Sequence, residues 1–304
     1  MILAADNLID NSITDLFTDW DIPPLVTCAL ALTAIIYTVG WVRVRRSQPK
    51  SAPDRLPPWR LAAFLGGILA LFAAVASPLD TFSESLLFMH MSQHFVLMSI
   101  APPLVVLGAP VVPMLRGLPR WFVRWGLGPF LRNPALQSLT HFSTRLPVAW
   151  IVMNIVYLGW HIPAAYEFAL SSESWHNVEH ACFFFSSVLF WWPVIEPWPF
   201  KRRNSSWFII PYLLFADIVN TGLSAYLCFT GTLIYPSYNQ TPRPLGLSAL
   251  NDQIAAGALM WVLGSIIFLI PAVRIIFVML AAPAAPPKWN VEHPSPNISP
   301  AGQA

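Results

Sequence analysis

The sequence predicts an all-α integral membrane protein: a bundle of about seven transmembrane helices, with the N-terminus outside and the C-terminus cytoplasmic. Three observations predict it: the composition, the spacing of long apolar stretches, and the placement of the basic residues. Of 304 residues, 56% are hydrophobic and only 11% are charged, where an ordinary soluble domain carries roughly a quarter charged. Such a chain cannot cover a water-facing globule with polar groups, so lipid must be part of its solvent.

The apolar stretches cover residues 23–42, 59–76, 82–107, 146–169, 176–195, 207–229 and 250–277. Each approaches or exceeds the roughly 20 residues that cross a bilayer, and most are flanked by Pro, Gly or charge. Between the third and fourth, residues 108–145 hold Trp121, Phe122 and Trp125 among spaced arginines, the pattern of an amphipathic segment lying on the membrane surface. The chain thus divides into an acidic N-terminal segment (1–22), a seven-span membrane domain (23–282) and a Pro/Ala-rich tail (283–304) expected to be disordered.

Orientation follows from the cations, which are retained on the cytoplasmic side of a bacterial inner membrane. Arg43, Arg45, Arg46, Lys50, Arg55 and Arg60 fall in the first connection. Arg116, Arg120, Arg124, Arg132 and Arg145 fall in the third, and Lys201, Arg202 and Arg203 in the fifth. With Arg274 and Lys288 at the C-terminal end, sixteen of the seventeen Lys and Arg residues share one side, Arg243 being the exception. The N-terminal segment instead carries Asp6, Asp10, Asp15, Asp19 and Asp21, so no positively charged signal-peptide start precedes the first span. Cys28, Cys182 and Cys228 stand singly, without the paired spacing of a redox or zinc motif.

The chemistry resides in the histidines. Five of seven lie within or at the ends of spans: His90, His94, His161, His176 and His180. His90/His94 and His176/His180 are both i, i+4 pairs, which places two imidazoles on one helix face, close enough to share a metal or a cavity. Under the expected topology all five fall in the outer half of the membrane. A single intramembrane histidine such as His161 serves equally well as a hydrogen-bonding strut; paired ones at that depth are costly and face a cavity or partner. Glu179 and Gln93 are expected on other helix faces than the histidines beside them. Asp252 opens the seventh span and is the acid best placed to orient a ligating imidazole, or to cap its own helix. Met89, Met91, Met98, Met260 and Cys182 could add soft ligands, although Met within a span is more often packing. Asp217 and Asn220 stand near the middle of the sixth span.

Imidazoles suit copper, zinc, iron and nickel, and nearby sulfur tilts the choice to copper. Paired histidines also suit axial ligation of haem. Nothing in the chain resembles a phosphate-binding glycine loop, a nucleophile elbow or a nucleic-acid-binding surface, so a hydrolytic enzyme and a nucleic-acid partner are not expected. Three readings stay open: a non-enzymatic copper-handling protein, a b-type haem protein of membrane electron transfer, and a transporter of copper or protons.

The strings themselves carry a resemblance. His90-Met-Ser-Gln-His94 followed by Ala101-Pro-Pro-Leu104 and Gly108-Ala-Pro110 resembles the third-span signature of the CtaG family, multi-spanning assembly factors of caa(3)-type cytochrome c oxidase. Trp160-His-Ile-Pro163 with Tyr166, His176-Asn-Val-Glu-His180 with Phe190-Trp-Trp-Pro193, and Asp252-Gln253 with Ala256-Gly257 and Met260-Trp261 resemble its later blocks, in order over residues 82–265. The resemblance implies a role in maturing haem-copper oxidase by handling copper for one of its copper centres. His90, His94, His161, His176, His180 and Asp252 would then serve as ligands or their supports. It also implies oxidase subunits or a periplasmic copper chaperone as partners, in the bacterial plasma membrane. The unrelated single-span factor that shares the family's name uses cysteine ligands on a soluble copper domain, which this chain does not have.

Overall fold

The computed structural model describes residues 22–49, 53–200, 204–239, 241 and 246–281. Residues 1–21 of the acidic segment, the Pro/Ala-rich tail, Lys50, Lys201–Arg203, Arg243 and Lys288 lie outside the described residues. The described chain is helical throughout, without a strand. Its helices are α1 (Pro24–Ser47), α2 (Pro58–Val75), α3 (Pro78–Ser85) and α4 (Leu87–Phe95), the last continuing through a π turn (Val96–Ile100) into α5 (Ala101–Leu107). The connecting region holds α6 (Val111–Gly117), a second π turn (Phe122–Leu127), α7 (Gly128–Arg132) and α8 (Pro134–Ser143). Then follow α9 (Leu146–Trp160), α10 (Pro163–Leu170), α11 (Glu173–Ile195), α12 (Ser206–Phe229), a 3-10 turn (Pro236–Asn239) and α13 (Ala249–Ala281).

Among the described residues, six helices are long and apolar enough to cross a membrane, and seven if α8 and α9, bent by 73° to each other, form one span. Their outward faces carry large apolar side chains, among them Ile155, Phe229, Val273 and Phe277. A surface of this kind needs lipid, not water, against it. The chain is a multi-pass membrane protein.

Two expected spans differ from their helices. The third begins at Leu87 and not near Phe82, because Leu86 takes an extended conformation between α3 and α4. His90 is therefore in the first turn, and His94 about 10 Å along at 1.5 Å per residue. The fourth is broken after Trp160. Pro163 has no N–H to continue the helix and confines the preceding residue to extended backbone; Ile162 has ψ 127°. The turn at His161 and Ile162 sends α10 off separately. With 15 residues, α9 is about 22 Å long, short of the roughly 30 Å hydrocarbon core.

The π turn within the third span also has a chemical cause. An α-helical bond to the Met98 carbonyl would come from residue 102 and a π bond from residue 103, and both are proline. The orphaned carbonyl accepts instead from the Ser187 hydroxyl of α11. Proline thus frees an acceptor in one helix, and serine in the next satisfies it.

Close packing fixes the arginine-rich end. A Cβ on Gly40 would lie 1.8 Å from the Pro113 carbonyl oxygen, and one on Gly117 would lie 1.9 Å from that of Ile36. α1 and α6 therefore touch backbone to backbone, as small residues allow in membranes. Arg43 Nη1 donates to the carbonyls of Arg116 and Gly117 at 2.7 and 3.1 Å. Tyr37 Oη, on α1, donates to the Gly108 carbonyl at 2.6 Å, tying α1 to the end of α5. Arg55 stacks over Trp198, which brings the α11–α12 connection to the same end. At the opposite end Gln93 Nε2 donates to the Ala74 carbonyl at 2.8 Å and to Asp80 at 2.5 Å. Burial raises the Asp80 carboxyl above its ordinary value, partly offset by that bond from Gln93. The bundle thus has an arginine end and, opposite it, an end that gathers the histidines.

Candidate metal centre

Four helix termini meet at the second end: the starts of α4, α11 and α13 and the close of α9. His90 and His94 project from one face of α4, and His176 and His180 from one face of α11. The i, i+4 spacing stacks each pair along its helix, with ring centroids 4.3 and 4.1 Å apart. The two faces oppose each other: His90 lies 5.1 Å from His176, and His94 lies 5.5 Å from His180. His161, at the C-terminus of α9, closes the group 6.3 Å from His94. All five imidazoles form one contiguous cluster.

Its inner set is His90, His94, His176 and Glu179, whose nearest ligand atoms all lie within 4.8 Å of one another. Glu179 is not on another face: it follows His176 by three residues, nearly a full helical turn, so both look toward α4. It is 1% exposed, and neither carboxylate oxygen has a hydrogen-bond partner. His94 is likewise buried with both ring nitrogens unpartnered, and His90, His161, His176 and His180 each leave Nε2 unpartnered.

Buried polar atoms are almost always hydrogen-bonded, because leaving one unpaired costs about 1–3 kcal/mol. A group of such orphans pointing inward is stable when something polar or cationic shares their space. Imidazole nitrogens with one carboxylate form the donor set of a borderline transition metal such as zinc, copper, iron or nickel, whereas magnesium and calcium prefer oxygen. The residues could hold a transition-metal ion.

The support around them is of the kind metal ligands need. Nδ1 of His161 is held 2.7 Å from the Tyr157 carbonyl, which fixes the ring and leaves Nε2 for the interior. Tyr166, on α10, packs against His90 with centroids 5.2 Å apart and shares a hydrogen bond with Tyr238 at 3.0 Å. Tyr238 donates to the Ser83 carbonyl at 3.0 Å, and Tyr235 to the His161 carbonyl at 2.9 Å. Burial raises the Tyr235 and Tyr238 hydroxyls far above their ordinary values, so they stay protonated donors. The loop that carries them is pinned by Ser237, which hydrogen-bonds Glu167, and by Gln253 Oε1, which accepts from the Ile234 N–H at 2.7 Å. Three tyrosines thus roof the cluster. Tyr235 and Tyr238 carry no periodic signal in the sequence, and only their aromatic character in a polar loop could have pointed to them.

Asp252 stands apart from the inner set. Its Oδ2 accepts from the Leu87 N–H at 2.8 Å and its Oδ1 from the Phe88 N–H at 3.0 Å. It caps α4 from across the bundle and so sets the register of His90 and His94. The remaining soft candidates divide. Cys182 and Met89 are only partly buried, whereas Met91, Met98 and Met260 line a cavity below the cluster. Of the two histidines not expected here, His141 is exposed on α8 and His293 lies outside the described residues.

The fold and site together define a helical membrane bundle with a buried imidazole–carboxylate cluster at one end that could hold a metal ion. The family described as cytochrome c oxidase caa3 assembly factor (Caa3_CtaG) matches residues 35–282, and the chain belongs to that family. Among curated proteins it is similar to Uncharacterized protein ML1998 of Mycobacterium leprae, with 26% identity over 267 residues, 82% of this chain and 38% of that protein. It is also similar to Uncharacterized protein Mb0105 of Mycobacterium bovis, with 24% identity over 272 residues, 82% of this chain and 38% of that one. The chain thus spans under two fifths of the length of these relatives. No solved structure matches it.

Proposed function

We propose that this protein is a non-enzymatic copper-handling assembly factor of the bacterial plasma membrane, holding copper in the histidine cluster and passing it to a haem-copper oxidase subunit or a periplasmic chaperone. The single observation that carries the reading is the convergence of His90, His94, His176 and Glu179 within 4.8 Å, all with buried donor atoms that lack partners. Membership in an oxidase assembly family supplies the destination.

Several features favour transfer over storage. The cluster sits in the first turns of its helices, close to one membrane surface, and His176 is only partly buried. Neutral imidazoles exchange copper readily and release it on protonation. The described arginines of the connecting loops gather at the other end, and by the positive-inside rule that supports a cluster on the outer side, with the N-terminus outside and the C-terminus in the cytoplasm. Copper would then enter and leave from the periplasm.

The haem reading has less support, because the imidazole centroids lie only 4.1–5.5 Å apart, edge-on or tilted to one another, which leaves no slot for a macrocycle between them. A transport route also has less support, since the unpartnered imidazoles concentrate at one end. In a strain lacking the native gene, the chain with His90→Ala and His94→Ala should leave the oxidase short of copper and inactive, while wild type restores both. Equal oxidase copper content and activity from the two would refute the reading.

A further inference from the structure

Inward of the histidine cluster lies a cavity of about 40 Å³ whose wall includes His94, His161, Met91, Met98, Met153 and Met260. The volume holds an ion or a few waters. Four thioethers come from α4, its π turn, α9 and α13, and all four are at least nine-tenths buried. Methionine in a core is ordinarily packing, but here the thioethers surround space they do not fill. Nε2 of His161, on a side chain 5% exposed, has no hydrogen-bond partner, and neither has Nδ1 or Nε2 of His94. The amides on the same wall are already engaged: Asn220 accepts from Tyr157 at 2.9 Å and donates to the Met260 carbonyl at 3.1 Å, and Asn154 donates to the Trp150 carbonyl at 2.8 Å. Beside the Ser99 hydroxyl, the wall offers a ligand the imidazole nitrogens of His94 and His161 and the methionine sulfurs.

We propose that this cavity is a second metal site, selective for the cuprous ion, held by His94, His161 and methionine sulfur and fed from the outer cluster through His94. The inference rests on the copper reading of that cluster. Thioether with imidazole is a soft donor set, which takes Cu(I) and discriminates against harder divalent ions. His94 belongs to both sites: its ring faces His90 and His180 on one side and the cavity on the other. With two unpartnered nitrogens it can hold an ion from either side. The ion moves as Cu(I) throughout, so no electron is exchanged in the transfer.

The test uses the full chain, purified in detergent, labelled with selenomethionine and loaded anaerobically with Cu(I). Absorption at the selenium edge should show a copper neighbour. A Met98→Leu, Met260→Leu protein, which preserves volume, should lose one equivalent of Cu(I) and keep its Zn(II) binding at the outer cluster. A selenium edge without copper, measured on wild-type residues only, overturns the proposal whether or not the double variant folds. Full Cu(I) stoichiometry in a folded double variant does the same. Copper bound through nitrogen and oxygen alone would end this inference and leave the cluster reading standing; no copper bound at all would end both.

Discussion

His94 Nε2 lies 3.9 Å from Oε1 of Glu179, two buried side chains facing each other across α4 and α11 without a hydrogen bond between them. An ion bonded to each at about 2.0–2.2 Å spans that gap at a wide angle. In the metal-free protein the same carboxylate is a buried polar group without a partner, which is costly. Glu179→Gln should therefore act in opposite directions on two measurements. The melting temperature of the metal-free protein should hold or rise, while metal affinity by competitive titration should fall at least about 10–100-fold, the loss that removing even a ligand's hydrogen-bonding support brings. A fall in both would make Glu179 a structural residue.

Asp252 predicts the complementary pattern. Removing its carboxylate leaves the Leu87 and Phe88 N–H groups unsatisfied at the start of α4. Asp252→Ala should cost about 1–3 kcal/mol of stability, read by thermal unfolding in detergent, and Asp252→Asn should recover part of it. Metal affinity should fall only as far as the helix start loosens. Loss of binding with unchanged stability would instead place Asp252 among the ligands.

The junction of α1 with α6 is a backbone contact, so it should tolerate no added carbon. Gly117→Ala puts Cβ against the Ile36 carbonyl, and destabilisation of about 1–3 kcal/mol or more is expected. Gly159→Ala, where a Cβ meets nothing within 4 Å, is the matched control. Equal melting temperatures for the two would show that the contact is looser than described.

Sidedness has a direct chemical test. With the native cysteines replaced, Glu84→Cys lies at the histidine end and Arg120→Cys at the arginine end, both exposed. A membrane-impermeant maleimide applied to intact cells with a permeabilised outer membrane should label the first and spare the second. The reverse pattern would invert the orientation and put the cluster on the cytoplasmic side.

How much of this was legible in the sequence depends on range. Apolar length marks seven stretches, six of which are long membrane-crossing helices, and the i, i+4 spacing within single helices predicts that His90 pairs with His94 and His176 with His180. The break before Pro163 was also written locally, but the apolar run across it reads as one span because hydropathy ignores a missing N–H. Glu179 was readable from its three-residue offset to His176 and is hidden only when it is compared with its neighbour His180. The role of Asp252 was not readable, since its partners lie 165 and 164 residues away and only the packing of α13 against α4 brings them together. The tyrosine roof is similar: Tyr235 and Tyr238 sit in an irregular loop whose course is set by bonds to Ser83, His161 and Glu167.

Copper held by the paired imidazoles is the central claim, and metal content tests it most directly. Wild-type protein and the His90→Ala, His176→Ala protein, purified side by side, should be loaded with copper, desalted and analysed by mass spectrometry of the elements. Wild type should retain at least one copper per chain and the variant should lose that equivalent, with both eluting as folded protein. Equal copper in the two, or none in wild type, would contradict the account.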